Sequence, residues 1–240
     1  MKFAIFGDIH ANLEALNAVL EDANENDCSH FVCIGDIVGY NANPKECLAT
    51  VKGLDCPVVK GNHDEVVSSD AELIGLNPLA EQSMNWTREN LSQDDKNYLM
   101  NLKLVRQVRD FTIAHATLDS PGGWGYITSK FHALERFGYQ YTPVCFIGHT
   151  HVPAFYVKTS SVEELSGRIL DVESSKKYLI NVGSVGQPRD GDPRASYCIY
   201  DLGGQRVVNR RVEYDIKSAQ EKIIDAGLPD KLADRLSHGQ

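Results

Sequence analysis

Eight side chains able to bind metal ions lie at or just after the ends of short apolar runs in this 240-residue sequence. They comprise two aspartates, one asparagine and five histidines: Asp8, His10, Asp36, Asn62, His63, His115, His149 and His151. Carboxylates, amide oxygens and neutral imidazoles are all ligands for divalent transition metals. Eight such groups exceed the four that one tetrahedral zinc site uses, so the set predicts two ions bridged by a shared carboxylate.

Two adjacent metal ions favour attack by water on phosphorus. Such sites hold their ions about 3.5–4 Å apart and lower the pKa of bound water to about 7. The expected nucleophile is therefore a bridging hydroxide, with both ions stabilising the charge that develops on the phosphoryl oxygens. Two divalent cations outweigh the carboxylates of Asp8 and Asp36, so phosphate is attracted although the net charge of the chain is −9.

The composition narrows the class of protein. Apolar residues make up 42% and charged residues 24%, as in an ordinary globular domain, and the acidic balance predicts no binding of duplex nucleic acid. No apolar run approaches the roughly 20 residues of a membrane span, and no secretory signal precedes the first strand. The six cysteines contain no C-x-x-C pair and are expected to be buried free thiols. We therefore expect a soluble cytoplasmic protein.

Five short strands position the candidate ligands. The apolar runs cover residues 2–6, 31–34, 57–60, 111–114 and 144–147. Near-continuous apolar strands indicate a sheet covered on both faces, and ligands of such sheets bind outside the carboxyl ends of the strands. The pairs Asp8/His10 and His149/His151 have an i, i+2 spacing, which in extended backbone points both side chains to one side.

The remaining elements predict one α/β domain over residues 1–240. Helices are expected at 12–23, 44–51, 78–91 and 94–102, then at 216–226 and near Leu232. The first 62 residues read β-α-β-α-β, which predicts parallel crossovers. Strands at 154–158, 177–182, 196–201 and 207–214 follow each other with few helices and predict an antiparallel or mixed sheet. Two stacked sheets with outer helices is the simplest architecture.

Two further segments carry alternatives. Residues 119–143 are rich in glycine and aromatic residues and form a lid-like insertion, in which Trp124 and Tyr126 either pack on the sheet or stack on a nucleobase. Residues 181–196 are rich in glycine and proline, and either form a connecting turn or present Arg189 to a phosphate oxygen. Individually, Asp8, Asp36 and His115 could also be structural, but five strand ends together favour one site.

The combined motifs resemble those of the calcineurin-like metallophosphoesterases. The family pattern D-x-H, G-D, G-N-H-[DE], a later His and G-H-T-H corresponds to Asp8-Ile-His10, Gly35-Asp36, Gly61-Asn62-His63-Asp64, His115 and Gly148-His149-Thr-His151. Motifs and flanks cover roughly residues 2–200. The resemblance implies a four-layer α/β/β/α sandwich, with two mixed β-sheets flanked by helices.

The resemblance also implies roles that the residues alone do not separate. Two divalent transition-metal ions (Mn, Fe, Zn or Ni) would bind, the first to Asp8, His10 and His151, the second to Asn62, His115 and His149, with Asp36 bridging. His63 would act on the leaving group or on the transition-state oxygens. Spacing alone does not distinguish His63 from a metal ligand.

Departures from the family pattern bear on the substrate. His115 is followed by Ala116 in place of the usual glycine, and Asp36 is not followed by the Asp-Arg-Gly of the serine/threonine protein phosphatases. The segments 35–44 and 181–196 resemble a bacterial and archaeal branch described as phosphodiesterases or diadenosine tetraphosphatase-like proteins, although Asn-Val-Gly-Ser replaces Asn-Pro-Gly-Ser. We expect hydrolysis of a phosphodiester or nucleotide-type ester. The alternatives are a protein phosphatase or a non-catalytic scaffold on the same fold.

Overall fold

The computed structural model describes residues 1–69, 73 and 77–240. Its helices are α1 Leu13–Glu25, α2 Pro44–Gly53, α3 Asn62–Ser68, α4 Pro78–Asn90, α5 Gln93–Met100, α6 Lys130–Arg136, α7 Ile216–Asp225 and α8 Asp230–His238. Its strands are β1 Lys2–Phe6, β2 His30–Cys33, β3 Val105–Val108, β4 Phe111–Ala114, β5 Val144–Ile147, β6 Ala154–Lys158, β7 Val162–Leu165, β8 Ile169–Asp171, β9 Lys177–Asn181, β10 Ala195–Asp201 and β11 Arg206–Val212.

The strands form two mixed sheets. One has the order β2-β1-β10-β11-β8, and the other has the order β3-β4-β5-β9-β6-β7. In the first sheet β1 and β2 are parallel, and in the second β4, β5 and β9 are parallel. The later strands add antiparallel pairs, including β10 with β11 and β6 with β9. The parallel strands thus bring their carboxyl ends, which carry the predicted ligands, to one edge of each sheet.

Alternate residues along the strands bury two different faces. Phe3 and Ile5 of β1 lie in the core between the sheets, whereas Ala4 and Phe6 face the core shared with the helices. Phe111 lies in the middle of the inter-sheet core, and its ring makes edge contacts with Phe3, Phe146 and Tyr200. The outer face of the six-stranded sheet is covered by the segment that contains α6. The predicted fold class, two mixed sheets flanked by helices, is therefore confirmed.

Several predicted elements differ from those observed. The strand expected at 57–60 is reduced to two isolated bridges, Val58 to Cys33 and Val59 to Lys103, because the chain turns into α3 directly after Gly61. Strands β3, β7 and β8 lack a long apolar run and were not predicted. They are short and lie at or near sheet edges, where polar and charged side chains are common.

The cysteines are free thiols, as the absence of a C-x-x-C pair predicted. All six thiols are free and five are buried, the exception being the partly exposed Cys56. Burial raises the pKa of the Cys198 thiol to about 12, so it stays protonated at neutral pH. Within the described ranges, no helix has both the length and the apolar character required to cross a bilayer.

Candidate metal centre and active site

The structure brings all eight predicted side chains to one place, after the carboxyl ends of β1, β2, β4 and β5 and at the start of α3. Three overlapping sets of potential metal-ligand atoms each lie within 4.8 Å of one another: Asp8/His10/His151, His10/Asp36/His63 and Asp36/His115/His149. Asn62 joins them through its Oδ1, which is 3.2 Å from His115 Nε2. Because the sets share members, the cluster is continuous.

Two carboxylates lie at the centre of the cluster. Asp8 Oδ1 is 3.3 Å from His151 Nε2 and 3.9 Å from both His10 Nε2 and His115 Nε2. Asp36 Oδ2 is 3.3 Å from His115 Nε2 and 3.6 Å from His10 Nε2. Both carboxylates therefore face imidazoles that come from different strand ends.

The backbone conformation behind the i, i+2 pairs is not the one expected. Asp8 and His10 have φ of 49° and 48°, and His149 and His151 have φ of 68° and 61°, all in the left-handed region. The argument from extended backbone is therefore wrong, since these residues lie in tight turns after the strands. Asp and His adopt this region more readily than most side chains, and strained backbone clusters at functional sites.

Four of the five imidazoles are oriented by backbone carbonyls. The pairs are His10 Nδ1 with Val38 O (3.2 Å), His115 Nδ1 with Ile34 O (2.9 Å), His151 Nδ1 with Gln187 O (2.6 Å) and His149 Nε2 with Trp124 O (2.9 Å). A carbonyl only accepts, so the nitrogen facing it carries the hydrogen. When such a ring is neutral, its other nitrogen carries a lone pair, which is the usual arrangement for a metal-bound histidine.

His63 differs from these four rings. Its Nδ1 is buried, and within the described chain it has no hydrogen-bond partner. The ring instead lies between His10 and Tyr40, with centroid distances of 4.6 and 4.5 Å. Gly39 has φ of +95°, and a Cβ there would lie 2.4 Å from His63 Nδ1, so the glycine makes room for this ring. The structure thus supplies a physical difference between His63 and the other imidazoles that the spacing did not.

The electrostatics of the cluster favour a bound cation. Burial opposes protonation of His115, but the carboxylates of Asp36 and Asp8 outweigh it and raise the pKa of His115 to about 10. Burial likewise opposes ionisation of Asp36, yet His115 and His63 hold the pKa of Asp36 well below its usual range. Two buried carboxylates that draw a proton onto a neighbouring imidazole fit a site in which metal ions replace that proton. The donor set and the oriented rings therefore suit divalent metal ions.

Asp64 is a supporting residue that the motif contained but for which no role was predicted. Its Oδ2 accepts hydrogen bonds from the Asp36 and Gly61 backbone amides at 2.8 and 3.0 Å, and its Oδ1 accepts one from Ile37 at 2.9 Å. Burial, together with the Asp36 carboxylate, raises the pKa of Asp64 to about 7, while the amide hydrogen bonds act in the opposite direction. Asp64 thus holds the loop that carries Asp36 against the start of α3.

The glycine-rich segment around Gly186 does more than connect β9 to β10. The amide of Gly186 donates to the Asp8 carbonyl at 2.9 Å, and the hydroxyl of Ser184 donates to the same oxygen at 2.8 Å. Asn12 returns a hydrogen bond from its side chain to the Gly186 carbonyl at 3.0 Å. A Cβ at Gly186 would lie 1.8 Å from the carbonyl oxygen of Ile9, so only glycine permits this approach. The segment therefore fixes the loop that carries Asp8 and His10.

Residues of the segment 119–143 reach the site in two ways. Trp124 accepts the hydrogen bond of His149 through its carbonyl, and its ring contacts His115 with centroids 5.9 Å apart. Tyr126 is 55% exposed and its ring lies 4.3 Å from that of His149. Tyr126 lines the cleft of about 190 Å³ beside the cluster, whereas Trp124 is not among its lining residues. The segment thus has two roles: α6 packs against the six-stranded sheet, and Tyr126 forms part of the wall of the cleft.

Arg189 also lines this cleft. Its Nη2 donates to Gln187 Oε1 at 2.9 Å and to the Tyr40 hydroxyl at 3.5 Å. Both partners are neutral, so the charge of Arg189 is not balanced by a carboxylate in these contacts.

Ala116, which stands where the family pattern has glycine, is buried beside His115. The His115 ring nevertheless reaches Asp36.

The fold and the site define the chain as a metal-dependent phosphoesterase. Residues 1–205 match the model of the calcineurin-like phosphoesterase superfamily domain, and the chain belongs to that superfamily. It is 39% identical over 241 residues to an uncharacterised protein of Methanocaldococcus jannaschii, with 99% of this chain and 98% of the relative covered.

Two solved structures share the fold. A metallophosphoesterase from Sphaerobacter thermophilus is 40% identical and superposes with a TM-score of 0.90 over 100% of this chain and 99% of that chain. A hypothetical protein from Pyrococcus horikoshii OT3 is 18% identical and shares the fold, with a TM-score of 0.83 over 100% and 98% of the two chains.

The contact at Gly186 makes a testable prediction. We expect Gly186→Ala to displace the loop that carries Asp8 and His10, because backbone atoms block the added methyl group. The free energy of unfolding should fall by about 1–3 kcal/mol, as for other overpacked sites, and metal content should fall with it. Gly53→Ala is the matched control, since nothing lies within 4 Å of a Cβ there and it ends a helix. Chemical denaturation and elemental analysis measure both effects, and equal stability of the two variants would contradict the prediction.

Proposed function

We propose that the protein is a dinuclear metal-dependent hydrolase of phosphodiesters or nucleotide-type phosphate esters. The observation that carries the proposal is the continuous cluster of Asp8, Asp36 and the surrounding imidazoles, whose three ligand sets overlap. Divalent ions at such a cluster supply Lewis acidity toward phosphoryl oxygens and activate water for attack on phosphorus. Mn, Fe, Zn and Ni all suit this donor set.

The two halves of the cluster suggest which residues hold each ion. Asp8, His10 and His151 form one ligand set, and His115 and His149 form another with Asp36, beside which lies Asn62. Asp36 is the proposed bridge because its Oδ2 lies near both His10 and His115, at 3.6 and 3.3 Å. In each of the four oriented rings, one nitrogen donates to a backbone carbonyl. The other nitrogen of the neutral ring, which carries the lone pair, is then the one available to a metal ion.

His63 is the proposed catalytic side chain. It lines the cleft, lacks the carbonyl partner that orients the other rings, and has a neutral ring at pH 7 because burial lowers the pKa of His63 to about 4. A phosphate bound in the cleft places negative charge near the ring and raises that pKa again. The protonated ring can then donate to the leaving-group oxygen or to a non-bridging oxygen of the transition state.

The substrate side of the proposal rests on two cleft walls. Arg189 provides a guanidinium without a carboxylate partner among its contacts, and Tyr126 presents an exposed ring on which a base can stack. Trp124 supports the site from behind through His149 and His115. The segment 119–143 is thus proposed as a lid-like wall of a single domain.

The free thiols suit a reducing compartment, and we propose the cytoplasm as the location of the protein.

The alternatives have less support. The chain lacks the arginine that protein serine/threonine phosphatases carry after the second motif, since Asp36 is followed by Ile37-Val38-Gly39. A scaffold that has lost catalysis is expected to have replaced metal ligands or the catalytic histidine. Here all eight groups are present and adjoin one cleft or its base.

The first test is hydrolysis of a simple diester. With added Mn²⁺ the wild-type protein should hydrolyse bis-p-nitrophenyl phosphate. The His63→Ala variant should keep its metal content, while its turnover number falls about 10²–10⁴-fold, the usual scale for the loss of a proton-transfer group. Metal content and initial rates are measured on the same samples. A wild-type protein that is inactive with each of Mn, Fe, Zn and Ni would contradict the function. Loss of metal in His63→Ala would instead make His63 a ligand.

A second prediction addresses the bridge. Asp36→Asn should remove more metal than Asn62→Ala, because a neutral carboxamide bridges two cations poorly, whereas Asn62 contributes to one side only. Elemental analysis after gel filtration gives the ratio of metal to protein. Asp55→Asn, on an exposed turn, serves as the control for removing one carboxylate. Similar metal content in the Asp36 and Asn62 variants would be evidence against the bridge.

A third prediction separates the two aromatic residues. Tyr126→Ala should raise the KM for a nucleotide substrate roughly 5- to 150-fold, from the loss of about 1–3 kcal/mol of stacking, and spare bis-p-nitrophenyl phosphate. Trp124→Ala should lower the turnover of both substrates, because the Trp124 ring contacts a ligand histidine. Tyr141→Phe, at a 94% exposed position, is the control. Equal effects of Tyr126→Ala on both substrates would rule out stacking.

A further inference from the structure

A second cavity opens from the cleft beside the metal cluster. It has a volume of about 250 Å³ and is lined by Tyr40, Asn77, Leu79, Ala80, Arg189 and Arg235. Four of these residues, Tyr40, Asn77, Ala80 and Arg189, also line the cleft that contains His63. The two cavities therefore adjoin each other, and a molecule whose phosphate lies at the cluster has this cavity beside it.

The cavity is positively charged although the chain is acidic. Two of its described lining residues are arginines and none is an aspartate or glutamate, whereas the whole chain carries 33 acidic and 24 basic residues. For Arg235, no hydrogen bond or ion pair of the guanidinium is found within the described ranges. Other arginines are paired with carboxylates, such as Arg210 with Asp22 and Arg194 with Asp192. Arg189 and Arg235 are thus the arginines whose charges remain available to a ligand in this cavity.

The two arginines are held in place by elements that contact each other. Arg235 projects from α8, whose Leu232 and Leu236 are buried in a cluster that also packs against Tyr40 and Leu79. The end of α8 is joined to the loop that carries Arg189 by a hydrogen bond from the Gly191 amide to the Gly239 carbonyl, at 3.0 Å. The Arg189 guanidinium lies over the Tyr40 ring, with its Cζ 5.7 Å from the ring centroid.

We propose that Arg235, together with Arg189, forms a second anion subsite, and that the substrate carries a second phosphate beyond the one that is hydrolysed. Arg235 lies on α8, outside residues 1–205 that match the superfamily domain, so the proposed subsite includes a residue from beyond that match. The inference rests on the proposed function, because it concerns substrates of the same cluster. Guanidinium groups suit phosphate through paired N–H donors.

The test compares two substrates that differ only in the second phosphate. Propyl phosphate and propane-1,3-diol bisphosphate are hydrolysed with added Mn²⁺, and phosphate release gives kcat/KM for each. In Arg235→Ala the value for the bisphosphate should fall roughly tenfold or more, as for loss of a charged hydrogen bond, while that for propyl phosphate stays within about twofold. Arg235→Lys should recover part of the loss. Lys231→Ala, which removes an exposed charge one turn earlier on α8, should change neither.

The outcomes separate this inference from the proposed function. Equal losses for both substrates would make Arg235 a structural residue of α8. No loss for either substrate would show that Arg235 does not contact the substrate. Either result overturns the subsite. Wild-type protein that hydrolyses neither substrate, nor bis-p-nitrophenyl phosphate, would contradict the proposed function instead. Whenever the wild type hydrolyses neither propyl substrate, whatever its activity on bis-p-nitrophenyl phosphate, calorimetric titration of the bisphosphate into the wild type and Arg235→Ala tests the subsite. Weaker binding to the variant supports it, and equal binding overturns it.

Discussion

The structure of the site depends on one electrostatic constraint. Two carboxylates, Asp8 and Asp36, are buried close together, and both lie near the imidazoles of His10 and His115. Burying a carboxylate without a counter-charge is costly, so the surrounding groups must supply positive charge or hydrogen bonds. His115 does so by holding a proton, since the two carboxylates outweigh its burial and raise its pKa to about 10. The four oriented rings, the carbonyls that bind them and the amides around Asp64 all arrange charge around this pair, and divalent cations satisfy the same demand.

Much of the fold, and the convergence of the candidate ligands, could be predicted, because both depend on local patterns. Apolar runs that end in Asp or His identify β1, β4 and β5 and place their ends together. The reduced strand at Val58 and Val59 could not be predicted, since its apolar residues make only isolated bridges before α3 begins. The same limit applies to β3 and β7, whose short and mainly exposed stretches have no strong alternation.

The supporting residues of the site were harder to predict than its candidate ligands. Asp64 was visible only as the last letter of a motif, although it holds the loop of Asp36 through backbone amides. Gly186 was part of a segment read as a turn or as a carrier of Arg189, but its contact with Ile9 joins regions 177 residues apart (186 − 9). Such contacts depend on tertiary approach, which periodicity does not encode. The arrangement of Arg235 against Tyr40 is of the same kind.

The distribution of ligands over the two sheets has a consequence for the order of events during folding. Asp8 and His10 follow a strand of the five-stranded sheet, and His149 and His151 follow a strand of the six-stranded sheet, with His10 and His151 separated by 141 positions in sequence. Contacts between such distant segments form late, after the inter-sheet core has closed the long loop between them. The complete cluster of potential ligands is then present only in a chain with both sheets docked. A partly folded chain, in which only one sheet has formed, therefore lacks some of the groups that the folded chain brings together.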